Sequence, residues 1–267
     1  MDSETAHILC DLNTRFYAEN AASFSETRAG GWPGWGRLVE ELYGYGCAWA
    51  DTQRAGTCAA ERAETVCVVD AACGNLRFER FLAETLPDVE FAVDAFDNCE
   101  ALVGEAPAWV SYHACDIAGA LLAGEPALPS ACLADLAVSF GFLHHVPMLE
   151  ARVRLLRELI GAVRPGGFAV VSLWRFADEP HMRKRAYATT AAGLSELGLE
   201  AAALDAGDYL VGWQDVPHAF RYCHSFSDDD VDALVRAVAG RASLVERFRA
   251  DGRTGKLNEY LVFRRCV

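Results

Sequence analysis

The chain has 267 residues, 52% of them apolar, and a formal net charge of −14. That length suits one large α/β domain with an appendage, and the apolar share is enough to bury a sheet between two helical layers. The acidity excludes a protein that coats nucleic acid through its overall charge, though it leaves room for a local basic patch.

In chain order, residues 1 to about 60 read as a helical leader. Leu9, Leu12 and Phe16 form one helical stripe, and Leu38, Val39 and Leu42 form a second. The Gly-, Pro- and Trp-rich stretch from Arg28 to Trp35 between them is a predicted loop. From Thr65 the texture changes to short apolar runs alternating with amphipathic stretches. Strands are predicted at Val66–Val69, Val89–Val93, Trp109–His113, Leu136–Phe140 and Phe168–Leu173. A helix runs from Leu149 to Val163, and Pro165-Gly-Gly167 is expected to end it. Strands separated by helices imply a mostly parallel sheet with helices on both faces.

Residues 176–225 break the alternation and read as an insertion, with a helix near Arg183–Leu197 and then a loop through Gly207–Pro217. Ser227 followed by three aspartates caps a further helix. Ser243–Arg249 and Asn258–Arg264 close the chain as an antiparallel hairpin. The whole of 1–267 is expected to be a single domain.

Ten cysteines are scattered without a CxxC pair or a Cys/His cluster at zinc spacing, so neither disulfides nor a metal is expected. No apolar run approaches the roughly 18 residues of a membrane helix. With Asp2 and Glu4 in place of a basic, then apolar, secretory start, the expected location is cytoplasmic.

The chemistry-bearing motifs follow the strands. Val66-Cys-Val-Val-Asp70-Ala-Ala72-Cys-Gly74-Asn-Leu76 is a strand feeding a tight turn of small residues and then a helix, which lets backbone N–H groups approach a ligand. Asp94, 24 residues after Asp70, is placed to accept ribose hydroxyls, and Asp116 follows the third strand as either a ligand contact or a helix cap. The fourth strand leads into Phe140-Gly-Phe-Leu-His144-His145, and a helix later comes Arg164-Pro-Gly-Gly167. One of the two histidines is expected to face the cleft.

The first motif resembles the acid-x-Gly-x-Gly-x-Gly loop of class I S-adenosylmethionine-dependent methyltransferases, with Ala72 and Leu76 standing where the family has its first and third glycines. The histidine pair with the later Pro-Gly-Gly is similar to the arrangement in many small-molecule and tRNA methyltransferases. Leu12–Tyr17, Ala22–Arg28 and Trp32-Pro33 resemble the leader of tRNA wobble-uridine carboxymethyl methyltransferases and of the methyltransferase domain of AlkB-fused enzymes. Arg221-Tyr222-Cys-His224 resembles that family's Arg-Tyr-Tyr-His segment.

The resemblance implies a Rossmann-like fold with a seven-stranded sheet and S-adenosylmethionine as cofactor. Asp70, Ala72, Gly74, Asp94, Asp116 and Phe140 would lie against that cofactor. Arg28, His144, His145 and Arg221 would lie against the acceptor, a carboxylate on a modified tRNA uridine. It also implies a small activating partner protein. Two other readings stand beside it: a small-molecule acceptor, favoured by the acidity, and a non-catalytic ligand-binding or scaffold homologue, motivated by the two missing glycines. A nicotinamide dehydrogenase fits poorly, because the chain lacks GxGxxG and ends in a hairpin.

Overall fold

The computed structural model describes residues 1–28, 30–46, 65–128, 133–214 and 216–267. Residues 47–60 of the expected leader, Ala29 of its loop, Asp215 of the expected insertion loop, and Cys47, Cys58 and Cys132 lie outside the described residues.

The leader supplies two helices, α1 (Ser3–Glu26) and α2 (Pro33–Gly44). The sheet then begins with β1 (Val66–Ala71), followed by α3 (Arg77–Thr85), β2 (Phe91–Asp97), the single turn α4 (Glu100–Val103), β3 (Val110–Ala114) and α5 (Ile117–Ala123). The second half adds β4 (Ala134–Ser139), α6 (Leu149–Ala162) and β5 (Val163–Trp174). The insertion contains α7 (Pro180–Leu197), β6 (Asp208–Gly212) and β7 (Phe220–His224), and the chain ends with α8 (Asp228–Ala237), β8 (Ala242–Ala250) and β9 (Asn258–Arg265).

The seven-stranded sheet has the order β3-β2-β1-β4-β5-β9-β8. Its first five strands are parallel, β9 pairs antiparallel with both β5 and β8, and β8 therefore runs in the same direction as the first five. Alternation along the strands sorts side chains to two cores. Val66, Val68, Leu136, Val138, Phe168 and Val170 pack under α2 and α3 on one face. Val69, Ala71, Ala137, Ala169 and Val171 pack under α5, α6 and α8 on the other. Both faces are therefore covered, as a parallel sheet requires.

The direction of crossover reverses between β1 and β4, which opens a crevice at the carboxyl edge of the sheet, where open α/β sheets bind ligands. The insertion closes over that edge. Leu9 of α1 packs with Leu194 of α7, Leu210 of β6 and Tyr222 of β7, so leader and insertion share a small core of their own. A buried polar chain ties the insertion to the body. The Arg152 guanidinium donates to the Tyr222 hydroxyl at 2.7 Å, that hydroxyl donates to Asp208 at 2.7 Å, and His224 Nδ1 meets the same carboxylate oxygen at 2.7 Å.

Two expectations change. The segment read as a loop through Gly207–Pro217 holds β6, which pairs antiparallel with β7. Its hydrophobic partners come from α7 and α1, distant in sequence, so no alternation over a few residues announced it. Pro165-Gly-Gly167 also does not end a helix: α6 stops at Ala162, and these residues form the irregular start of β5, where the β4–β5 register shifts. Gly167 is needed there because a Cβ would stand 3.0 Å from the carbonyl oxygens of Asp135 and Arg164.

Candidate active site

A cavity of about 540 Å³ lies at the crevice, walled by the turn after β1, the ends of β2 and β4, the leader and β7. Its size falls within the range of small-molecule and cofactor sites. The turn after β1 alternates into the left-handed region at Ala72 (φ 67°), Gly74 (φ 55°) and Leu76 (φ 53°). For Ala72 this conformation costs about 1–2 kcal/mol. Carbonyl capture holds it in place, since the N–H groups of Ala72 and Cys73 both donate to the Phe96 carbonyl, at 2.8 and 3.1 Å.

The two departures from glycine leave the crevice open. A Cβ built at Gly74 would meet nothing within 4 Å. The Leu76 side chain is fully buried in the core beneath α2 and α3 and does not line the cavity. Asp70, at the end of β1, lines the cavity and keeps Oδ1 buried without a hydrogen-bond partner.

Asp94 is not at this edge. β2 continues to Asp97, so Asp94 sits in mid-strand opposite Val69 and meets His113 Nε2 at 2.8 Å on a partly exposed surface. Asp97 takes the position expected for Asp94. It lines the cavity, accepts the Gly74 N–H at 2.9 Å through Oδ2, and accepts the Cys99 N–H at 2.8 Å through Oδ1. The signal for it was present in sequence: apolar residues continue through Ala95-Phe96, and Asp97-Asn98 begins the turn.

Asp116 lines the cavity and also caps α5, accepting the Gly119 N–H at 3.0 Å. Phe140 leaves the end of β4 and packs edge-on against Phe78 at 4.8 Å, which turns it along the cavity wall.

The two histidines occupy a 3₁₀ turn, Leu143–His145, and both are buried. Nδ1 of His145 lies 2.8 Å from the Tyr222 carbonyl, which can only accept, so Nδ1 carries the proton. Nε2 then accepts from the Tyr17 hydroxyl at 2.7 Å. Burial, helped by the charge of Arg221, pushes His145 down to about 3, so the ring is neutral. His144 is pushed well below its usual value by burial, then by His145, Arg221 and Arg28, and its Nδ1 is buried without a partner. Tyr17 and Asn13, which sequence reasoning did not single out as site residues, come from α1. Asn13 Oδ1 accepts the Tyr222 N–H at 2.7 Å, and its amide donates to the Tyr222 carbonyl at 3.2 Å.

Arg28 and Arg221 face the same cavity. The Arg28 guanidinium lies 4.0 Å from the centroid of Phe24, and burial with the repulsion of Arg221 lowers it to about 10. Arg221, from β7, is buried among the rings of Trp213 (5.1 Å), Phe16 (5.2 Å) and Trp174 (5.7 Å). Among the described residues neither arginine makes an ion pair, and Nε of Arg221 is buried with no hydrogen-bond partner. A buried charge without a counter-charge is costly by several kcal/mol per ion, ~3–5 when a partner is missing. Two guanidiniums therefore face this end of the cavity without an ion-pair partner among the described residues.

The fold also assembles His144, His145 and Cys223, whose ligand-type atoms lie within 4.8 Å of one another. No spacing in the sequence pointed to this cluster. Both ring nitrogens of His145 are already hydrogen-bonded, and the two guanidiniums oppose a divalent cation beside it. Among the described residues no helix is long and apolar enough to cross a membrane.

No family model matches the chain. A curated protein of Encephalitozoon cuniculi, carrying a methyltransferase name, is 24% identical over 213 residues, covering 79% of each chain. A solved S-adenosylmethionine-dependent methyltransferase of Methanosarcina mazei superposes with a TM-score of 0.55 at 15% identity, over 76% of this chain and 94% of that one. The magnesium protoporphyrin IX methyltransferase of Synechocystis, solved with bound S-adenosylmethionine, gives a TM-score of 0.50 at 12% identity over 99% of this chain and 98% of the other. With five parallel strands, a reversal between β1 and β4 and an antiparallel closing hairpin, the chain has the fold of the class I S-adenosylmethionine-dependent methyltransferases.

Proposed function

We propose that this protein is an S-adenosylmethionine-dependent methyltransferase whose acceptor is a carboxylate held by Arg28 and Arg221. The observation that carries the acceptor class is the buried, unpaired guanidinium of Arg221 beside that of Arg28 in one cavity. Cofactor binding is supported by the fold, by the open turn at Gly74 and by the free oxygen of Asp70. Asp97 stands at the strand end where such sheets hold a ribose. When bound, the cofactor supplies an electrophilic methyl group.

The residues of the chain then have to orient an acceptor and exclude water. A carboxylate is ionised at neutral pH and needs no general base. That suits this site, because burial and two nearby cations strip both histidines of proton affinity, whereas an amine or hydroxyl acceptor calls for a base poised near neutrality. Arginine can grip one side of a carboxylate with directed N–H donors and leave the other oxygen free to attack. Residues 176–225 form the acceptor side of a single domain spanning 1–267 in this reading.

Within the carboxylates, the resemblance of the leader and of Arg221-Tyr222-Cys-His224 to the wobble-uridine enzymes supports a carboxymethylated tRNA uridine. Exposed Arg183 and Lys184 on α7 are suited to meet phosphates. A small carboxylic acid is the second reading, favoured by the net charge of −14. The deciding experiment offers labelled S-adenosylmethionine with bulk tRNA and, separately, with a small-metabolite fraction, and scores base-labile methyl ester. Arg28→Ala and Arg221→Ala should each lower turnover while S-adenosylhomocysteine still binds. Unchanged turnover in both would remove the carboxylate clamp.

A further inference from the structure

Glu79 lies in the first turn of α3, where an acidic side chain normally turns to solvent and gains from the helix dipole. Here it is fully buried. Both of its carboxyl oxygens lack a hydrogen-bond donor, as does Oδ1 of Asp70, which leaves three orphaned carboxyl oxygens, and the two acids stand within hydrogen-bond reach of each other. Among the described residues neither acid has a cation within ion-pair distance. Asp70 lines the cavity and Glu79 stands behind it.

Two carboxylates in contact and out of water cannot both stay ionised. We propose that Asp70 and Glu79 act as one acidic unit that holds a shared proton, and that an ammonium-bearing ligand displaces this proton to solvent as it binds. The inference rests on the cofactor reading above and extends it: Asp70 makes the contact, and Glu79 is a positioning residue acting through Asp70. The balance is simple. The protonated pair and the ligand's ammonium become an ionised pair holding that ammonium, with one proton released and no other bond changed.

The other titratable and charged groups around the pair are Asp97 from β2, the Cys73 thiol in the turn and Arg80 on α3. Burial raises Asp70, with the charges of Glu79 and Asp97 adding to it, and burial raises Glu79 in the same direction. Arg80 opposes this only on Glu79.

The test is titration calorimetry of the full chain with S-adenosylhomocysteine, which carries the same ammonium, in buffers of different ionisation heat over a pH series through neutrality. Release of a proton is expected, with affinity rising by up to about tenfold per pH unit while the pair is protonated. Glu79→Gln should still bind, because its amide donates to Asp70 and keeps that carboxylate ionised, but it should release little or no proton and flatten the pH dependence. Binding by the wild type without proton release, or equal release by Glu79→Gln, would overturn the shared proton and leave the cofactor reading intact. A wild type that binds no S-adenosylhomocysteine at any pH would overturn both.

Discussion

The Tyr17 hydroxyl donates to His145 Nε2 across 2.7 Å, tying the first helix of the chain to the turn after β4. With Nδ1 donating to Tyr222, the ring is locked as one neutral tautomer. Its value falls from 6.5 to about 3 on folding, chiefly through burial. The unfolded chain therefore binds the proton first, and the stability this neutral ring contributes is complete above pH 6.5 and is lost as pH falls toward 3. Urea midpoints of the wild type and His145→Asn should draw together across that interval. A constant gap would contradict the assignment.

Ala72 and Leu76 share a left-handed backbone but should respond to glycine with opposite signs. At Ala72 the side chain is a single half-buried methyl group, and relief of about 1–2 kcal/mol of strain exceeds the roughly 0.5–1 kcal/mol of added chain entropy. Ala72→Gly should raise the denaturation midpoint. At Leu76 the fully buried side chain contributes about 2–5 kcal/mol to the core, more than the strain it carries. Leu76→Gly should lower the midpoint sharply.

Asp97 and Asp94 separate cleanly in the same strand. Asp97→Asn keeps the shape but can turn an N–H toward the amides of Gly74 or Cys99, so S-adenosylhomocysteine affinity should fall by about tenfold or more, the worth of a charge-assisted hydrogen bond. Asp94→Asn weakens only a partly exposed contact with His113, worth under about 1 kcal/mol, and should leave affinity unchanged. Isothermal titration of both variants checks the pair.

Arg221→Met should trade function for stability. The substitution fills the aromatic cage with an apolar chain of similar reach and removes a buried charge that has no carboxylate in ion-pair contact among the described residues. A gain of about 0.5–2 kcal/mol in unfolding free energy is expected, together with loss of methyl transfer. A drop in stability would mean that the guanidinium has a counter-charge in the folded chain.

Much of the fold was legible because the strands of the seven-stranded sheet carry their own signals. Val66–Val69 and Phe168–Leu173 are compact apolar runs between helical patterns, and Ser227 with three aspartates caps a helix by local chemistry alone. The strand β6 was not legible: Leu210 is buried by Leu194 and Leu9, residues 16 and 201 positions away. The edge acid of β2 was misplaced by three residues, at Asp94 in place of Asp97, because an aspartate can sit on a strand surface as readily as at its edge. Asp94 does the first and Asp97 the second.

By itself the sequence determined the βα turn at Gly74, the alternation of strands and helices in the large sheet and the candidacy of Arg28 and Arg221, since these follow from local pattern and from motif. Only the tertiary structure decided that the two arginines share one cavity with neither in an ion pair among the described residues, that His145 is pinned by Tyr17 and Tyr222, and that Glu79 is buried against Asp70. Charge balance and desolvation depend on which groups meet across the fold, and no window of sequence contains that information.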